Sequence, residues 1–250
     1  IIDSQAGHVQ PNVVADTSSY QLAQVAYQSG LDAVNGGKGL SDSQTVANNP
    51  INNEAYQKGM KDGLAAQENG LLQFQKNPLS DTVTTVSANP NVQKLAQVAM
   101  DQAKEGFDSI LIGTSITNPT AIQLDGMNLG RLVREYADSV LNNENPPVAS
   151  IPETVQTPVQ SSIDRVKKLF ESNPDISDQS ASSSSIDRYV YFIAVDRYQK
   201  EYDQGVQLAQ NLSDDPKSTP AESQGFKDFW QGINSKIVPG QDLLLNPNRG

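Results

Sequence analysis

The chain of 250 residues contains no cysteine and only one histidine, His8. The lack of cysteine excludes disulfide bonds, thiolate catalysis and cysteine-ligated zinc. A single histidine argues against histidine-based acid–base catalysis and against metal sites built from two or three imidazoles. The sequence therefore predicts no metal ion, no cofactor and no histidine-centred catalytic site.

Basic clusters and long apolar runs are also missing. Lysine and arginine number 18 against 29 aspartates and glutamates, which gives a formal net charge of -11. Nucleic acids and anionic membranes attract clustered positive charge, so we predict binding to neither. The densest basic segment, Arg165-Val166-Lys167-Lys168, reads as a solvated helix face. No window of 18 consecutive apolar residues occurs, so no transmembrane segment is predicted.

The sequence does contain apolar residues at helical spacing, in segments bounded by residues typical of helix caps. Asp16-Thr17-Ser18 offers an N-cap, and the pairs Asn89-Pro90 and Asn118-Pro119 are typical helix starts. Gly113 reads as a helix C-cap rather than part of a phosphate-binding turn. We predict an all-α protein, an irregular helical bundle, with residues 79–88 as a loop. Its seven helices are expected at about 17–35, 53–76, 90–112, 119–142, 159–171, 185–212 and 221–236.

Four prolines between residues 142 and 160 mark the strongest internal boundary. From it we predict two helical subdomains separated by a proline-rich linker. The predicted parts are an N-terminal arm at 1–16, a helical subdomain at 17–145, the linker at 146–158, a second helical subdomain at 159–237 and an extended tail at 238–250.

The pentapeptide Leu22-Ala23-Gln24-Val25-Ala26 recurs identically as Leu95-Ala96-Gln97-Val98-Ala99. An internal duplication of a two-helix unit accounts for the repeat. A chance recurrence in a chain rich in alanine and glutamine accounts for it equally well, and both interpretations stay open.

Four times an aromatic residue is followed three positions later by glycine and then by an apolar residue. Residues three apart share a helix face. Glycine inside a helix costs about 0.5–1 kcal/mol relative to alanine, so its recurrence indicates close approach of a neighbouring helix. The predicted helix-packing residues are Tyr27, Gly30, Tyr56, Gly59, Gly205 and Gly232, and the fourth element is Phe229-Trp230-Gln231-Gly232.

Tyrosines are concentrated in the sixth predicted helix. An exposed platform of aromatic rings suits glycan binding, whereas the interpretation we favour places the same rings in the core between the last two helices. The candidate binding residues are Tyr191, Tyr198, Tyr202 and Trp230.

Carboxylates are the remaining chemistry-bearing groups. Asp101, Glu105 and Asp108 fall on nearby turns of one predicted helix, and Asp196 and Asp203 on another. Such pairs suit acid–base hydrolysis of glycans, although solvated helix faces produce the same spacing, and no catalytic residue is assigned. The acidic segments at 175–178 and 214–215 do not match a calcium-binding loop.

The elements Ala26-Tyr27-Gln28-Ser29-Gly30-Leu31 and Ala55-Tyr56-Gln57-Lys58-Gly59-Met60 resemble helical modules of secreted and cell-surface proteins of lactobacilli and their relatives. The resemblance covers about a fifth of the chain and brings no catalytic residues. It implies a non-enzymatic, extracellular or cell-surface protein of a Gram-positive bacterium, acting in adhesion or display on a glycan or on a host or cell-wall protein. The alternatives are a carboxylate-dependent glycan hydrolase and a soluble solute- or peptide-binding component.

Overall fold

The structure, a computed structural model, describes residues 17–39, 50–142, 151–172, 184–211 and 220–234. This part of the chain is built of helices joined by turns and irregular segments and contains no strand, which confirms the all-α prediction. The predicted N-terminal arm and C-terminal tail lie outside the described residues. Within these ranges the seven helices are α1 (Thr17–Asn35), α2 (Pro50–Lys76), α3 (Pro90–Ile112), α4 (Ala121–Leu141), α5 (Glu153–Ser172), α6 (Ser185–Gln210) and α7 (Pro220–Asn234).

Local capping chemistry sets the ends of α3. The side chain of Asn89 accepts a hydrogen bond from the backbone N–H of Asn91, and Pro90 follows in the first turn. At the other end Gly113 adopts a left-handed conformation with φ of 76°. The next N–H, from Thr114, donates to the carbonyl of Ser109 and closes the helix. Gly113 is therefore the C-cap that the sequence predicts.

The start of α4 corrects a prediction. Asn118 takes a positive φ of 53° and does not cap the helix. Thr120 instead accepts from the N–H of Gln123, and the Gln123 side chain accepts from the N–H of Thr120. This reciprocal pair is a capping box, which satisfies two helix-end donors at once. It places the first residue of α4 at Ala121.

Helix α5 begins earlier than residue 159, where the sequence predicts it. Helix α5 already begins at Glu153 and runs through Pro158. Proline lacks the N–H that would bond one turn back, so this helix loses one internal hydrogen bond. A fully buried stripe of valine and isoleucine passes through the proline at helical spacing and outweighs that loss. The stripe consists of Val155, Val159, Ile163 and Val166.

The chain divides into two compact units. The first comprises Ile1–Leu132 and Ser150–Val155, and the second comprises Val133–Ala149 and Gln156–Gly250. The division falls inside α4 and α5, and the predicted subdomain limits remain a prediction. In the first unit α2 packs against both α1 and α3. In the second unit α6 packs against α7.

The core of the first unit forms where α2 and α3 meet. Phe74 and Phe107 are fully buried and contact each other edge to face, with ring centroids 6.0 Å apart and planes at 75°. Such T-shaped pairs align the positive edge of one ring with the negative face of the other. Met60 and Met100 are also fully buried. The connection from α2 to α3 is irregular, as predicted for residues 79–88.

Candidate functional site

The two tyrosine–glycine elements of the first unit meet each other. A Cβ atom built on Gly30 would lie less than 3.0 Å from the carbonyl oxygen of Tyr56, and one built on Gly59 would lie equally close to the carbonyl oxygen of Tyr27. The same Gly59 Cβ would be 3.3 Å from the Cα of Gly30. Helices α1 and α2 therefore touch backbone to backbone, at a separation that any side chain would prevent.

The second unit repeats this arrangement between α6 and α7. A Cβ atom on Gly205 would lie less than 3.0 Å from the carbonyl oxygen of Glu222, and one on Gly225 would approach the carbonyl oxygen of Tyr202 equally closely. In each case the glycine faces the carbonyl three residues before its partner glycine. Contacts of this kind allow weak hydrogen bonds from Cα–H to C=O. Tyr202-x-x-Gly205 thus has the same role as Tyr27-x-x-Gly30.

A tyrosine hydroxyl is bonded to a carboxylate beside the α1–α2 crossing. Tyr27 donates to Asp62 at 2.8 Å, and Lys58 forms an ion pair with the same carboxylate at 3.0 Å. Burial of the ring and the bond to Asp62 hold the pKa of Tyr27 well above its usual range. The hydroxyl is therefore protonated at neutral pH and serves as a fixed donor between the two helices.

The α6–α7 crossing carries the same bond. Tyr202 donates to Asp228 at 2.9 Å, and the side-chain amide of Gln224 donates to that carboxylate at 2.7 Å. Burial and the bond to Asp228 raise the pKa of Tyr202 to about 12. In each unit two glycines face each other where the helices cross, and we call them crossing glycines. A tyrosine lies three residues before one crossing glycine, and an aspartate lies three residues after the other crossing glycine.

Sequence reasoning missed the aspartates and several crossing glycines. A signal for the aspartates was present, since Gly59-Met60-Lys61-Asp62 and Gly225-Phe226-Lys227-Asp228 share one pattern. The further crossings have no aromatic residue three positions earlier, so the tyrosine rule did not find them. Built Cβ atoms there would also lie less than 3.0 Å from a backbone carbonyl oxygen of the neighbouring helix. These glycines are Gly70 against Ala96, Gly106 against Gln123, Gly126 against Ala103 and Gly130 against Phe107.

The repeated pentapeptide does not occupy equivalent positions. Leu22 is 53% exposed on α1, whereas Leu95 is 5% exposed on α3. The crossing glycine follows four residues after Ala26 in α1 and seven residues after Ala99 in α3. Identical sequences therefore lie in different environments, and a duplication in this register does not superimpose the crossings.

Tyr198 is buried rather than part of an exposed platform. Its ring stacks on Tyr202 with centroids 6.4 Å apart. Its burial raises its pKa, with a further contribution from the charge of Asp228. These contacts are those of a packing residue, and the assignment of Tyr198 as a binding residue stays a prediction. The ring of Tyr202 is half-buried at the crossing. The burial of Trp230 and Gly232 in α7 is not described, so the predictions for these two residues stay predictions.

The most exposed aromatic side chain of α6 is Phe192. It is 71% exposed, although an apolar ring of this size usually gains from burial. Tyr191 lies beside it and is half-buried. Arg188, Tyr191, Phe192 and Val195 follow helical spacing along one side of α6, with the arginine and the phenylalanine exposed and the other two half-buried. We refer to these four residues as the outer face of α6.

A second tyrosine of α6 is held by charged groups. Tyr189 is buried, and its hydroxyl donates to Asp138 at 3.1 Å. The guanidinium of Arg134 lies 4.9 Å from the ring centroid, in cation–π geometry. Burial raises the pKa of Tyr189. This ring thus connects α6 to the end of α4 within the second unit.

The candidate catalytic carboxylates have separate polar partners. Asp101 accepts from Gln97 at 2.8 Å, and Glu105 accepts from Gln123 at 2.8 Å. Asp196 pairs with Lys200 one turn away, and Asp203 is exposed. Within the described ranges, no group of three or more His, Cys, Asp or Glu side chains is placed to hold a metal ion. The acidic segments at 175–178 and 214–215 lie outside these ranges.

Comparison with models of known families, with curated proteins and with solved structures finds no match to this chain. Among the residues described, no helix combines the length and the apolar character needed to cross a membrane.

Proposed function

We propose that this chain is a non-enzymatic extracellular helical protein of a Gram-positive bacterium that acts in surface adhesion or display. Its ligand is a glycan or a host or cell-wall protein. The outer face of α6 is the contact surface in this proposal, and the observation that carries it is the 71% exposure of Phe192. An exposed aromatic ring on a packed helix offers a flat apolar face at small entropic cost.

The use of polar groups supports a scaffold role. The bonds Tyr27–Asp62 and Tyr202–Asp228 join helices beside the glycine crossings. Hydroxyl and carboxylate groups of this kind serve acid–base chemistry in many enzymes. Here they fix the packing of the two helix pairs, which presents the outer faces of the helices in a defined geometry.

Binding to an array of host mucin-type and bacterial wall polysaccharides tests the proposal, with the ligands analysed afterwards by mass spectrometry. Saturable binding without cleavage is expected. Phe192→Ser should weaken it at least about tenfold, because the stacking face is lost. Leu72→Ser is the matched control, since Leu72 is an exposed apolar residue of α2 with 46% exposure.

Three outcomes count against the proposal. Cleaved ligands would favour the alternative of a carboxylate-dependent hydrolase. Equal binding by the Phe192 and Leu72 variants would remove the outer face of α6 as the contact surface. Binding only to free solutes or peptides would favour the soluble binding-component alternative.

A further inference from the structure

The connection between α2 and α3 spans residues 77–89, between the end of α2 at Lys76 and the start of α3 at Pro90. Helices in bundles are usually joined by about 2–8 residues. The connection from α3 to α4, at residues 113–120, falls in that range. Residues 81–86 of the longer α2–α3 connection are here called the strap.

Two glutamines of α3 bind the backbone of the strap. Gln97 accepts from the N–H of Val83 at 2.9 Å and donates to the carbonyl of Asp81 at 3.0 Å. Gln93 donates to the carbonyl of Val83 at 3.3 Å and accepts from the N–H of Val86 at 2.8 Å. The two glutamines are four residues apart and share one face of α3. Both backbone groups of Val83 thus point to α3.

The following residue of the strap is bound from the other helix. Gln73 of α2 accepts from the N–H of Thr84 at 2.7 Å, and its amide nitrogen lies 3.5 Å from the carbonyl oxygen of the same residue. In an extended strand the N–H and C=O of one residue point to one side, and those of the next residue point to the opposite side. Val83 and Thr84 show this alternation, with α3 on one side and α2 on the other, whereas the N–H of Val86 points to α3 again.

Only one side chain of the strap is buried. Val83 is 8% exposed, and Asp81, Thr82, Thr84 and Thr85 are exposed. Most of the contacts therefore involve backbone groups, which every peptide carries, and a single apolar anchor. Peptide-binding proteins that pair with an extended ligand use this division between backbone bonds and side-chain pockets.

We propose that Gln73, Gln93 and Gln97 form a binding groove for an extended peptide, which the strap occupies in cis. The ligand is a segment of a partner protein with one β-branched apolar anchor flanked by small polar residues. The groove opens when the strap leaves it. This proposal rests on α2, α3 and their connection alone and does not depend on the function proposed for α6.

The test uses the full chain and a fluorescent peptide with the sequence of residues 79–88. In the variant Val83→Asp the buried anchor becomes a carboxylate, which empties the groove because burial of an unpaired charge is unfavourable. We expect saturable binding of the peptide to this variant by fluorescence anisotropy. Binding to the unaltered chain should be at least about tenfold weaker, because only the fraction with a displaced strap is competent.

A second variant that displaces the strap keeps the test valid if Val83→Asp does not fold. Thr84→Pro removes the N–H that donates to Gln73 and leaves the anchor in place. Circular dichroism checks that each variant retains its helices. The same peptide should bind this variant as well.

Specificity is tested in the opened background. Adding Gln93→Leu and Gln97→Leu removes the amide groups at similar side-chain volume, and we expect at least about tenfold weaker binding. A peptide with aspartate in place of its central anchor valine should not bind. If neither folded opening variant binds the peptide, or if binding survives both glutamine substitutions unchanged, the proposal is wrong.

Discussion

Gly59→Ala should destabilise the first unit although alanine is the better helix former. In an exposed helix interior this change stabilises by about 0.5–1 kcal/mol. Here the new methyl carbon would lie less than 3.0 Å from the carbonyl oxygen of Tyr27, whereas ordinary van der Waals contacts of a Cβ atom begin at 3.4 Å. Relief requires the α1 and α2 backbones to separate by roughly 1 Å, in an interior packed as densely as a crystal.

Overpacking of this kind costs about 1–3 kcal/mol, so after the gain in helix propensity of about 0.5–1 kcal/mol the net loss is about 0–2.5 kcal/mol, centred near 1 kcal/mol. For a chain of this size a loss of about 1 kcal/mol lowers Tm by about 2–4 °C. Thermal unfolding followed by circular dichroism at 222 nm measures the change.

Two glycines of the same region serve as controls. A Cβ atom on Gly63 would lie 3.2 Å from the Cδ1 atom of Leu95 and from the Cβ atom of Val34, so it would meet side chains and no backbone carbonyl. A Cβ atom on Gly36 would meet nothing closer than 3.5 Å. Gly36→Ala should unfold within about 0.5 kcal/mol of the parent, and Gly63→Ala should lose less stability than Gly59→Ala. If Gly59→Ala melts at or above Gly63→Ala, the backbone contact at the crossing does not exist.

Three further predictions address other parts of the chain. Leu95→Ser should lower the free energy of unfolding by about 2–5 kcal/mol, by analogy with other truncations of buried leucine. Leu22→Ser, in the identical pentapeptide, should change it by about 0.5 kcal/mol or less. Chemical denaturation compares the two variants, and equal losses would contradict their different burial. In an alkaline titration at 295 nm, Tyr202 should ionise near pH 12, and Asp228→Asn should lower that pKa. Because the pKa of Tyr202 is raised in the folded state, the protonated hydroxyl stabilises the fold below pH 10, and this contribution is lost as the pH rises through about 12. An identical titration of the Asp228→Asn variant would contradict the Tyr202–Asp228 bond. Thr120→Ala should cost about 0.5–2 kcal/mol through loss of the capping box, and an unchanged melt would contradict that cap.

Local signals were sufficient to predict the helices. The cap at Asn89 and the glycine at Gly113 set the ends of α3, and both act within one turn of the helix. The prediction was wrong where two signals compete. At α4 the Thr120–Gln123 capping box prevails over Asn118-Pro119, and at α5 burial prevails over Pro158. Propensity is a weak prior when packing opposes it.

Contacts between helices were predictable only in part. The spacing of Tyr27 and Gly30 indicated close approach, but their partners on α2 depend on the register between helices, which no local pattern specifies. Burial of Tyr198 has the same origin, because it depends on what packs against α6 in space. The strap bonds of Gln73, Gln93 and Gln97 were not anticipated, since glutamines on helix surfaces give no distinctive signal.

The central claim, a non-catalytic adhesive surface on α6, is tested most directly by the affinity for a polysaccharide selected on the array. Isothermal titration would compare the parent chain with Phe192→Ser and Leu72→Ser. We predict at least tenfold weaker binding for the Phe192 variant, a loss of about 1.4 kcal/mol, an unchanged affinity for the Leu72 variant and an intact ligand afterwards. Equal affinities for all three proteins, or a cleaved ligand, would contradict the claim.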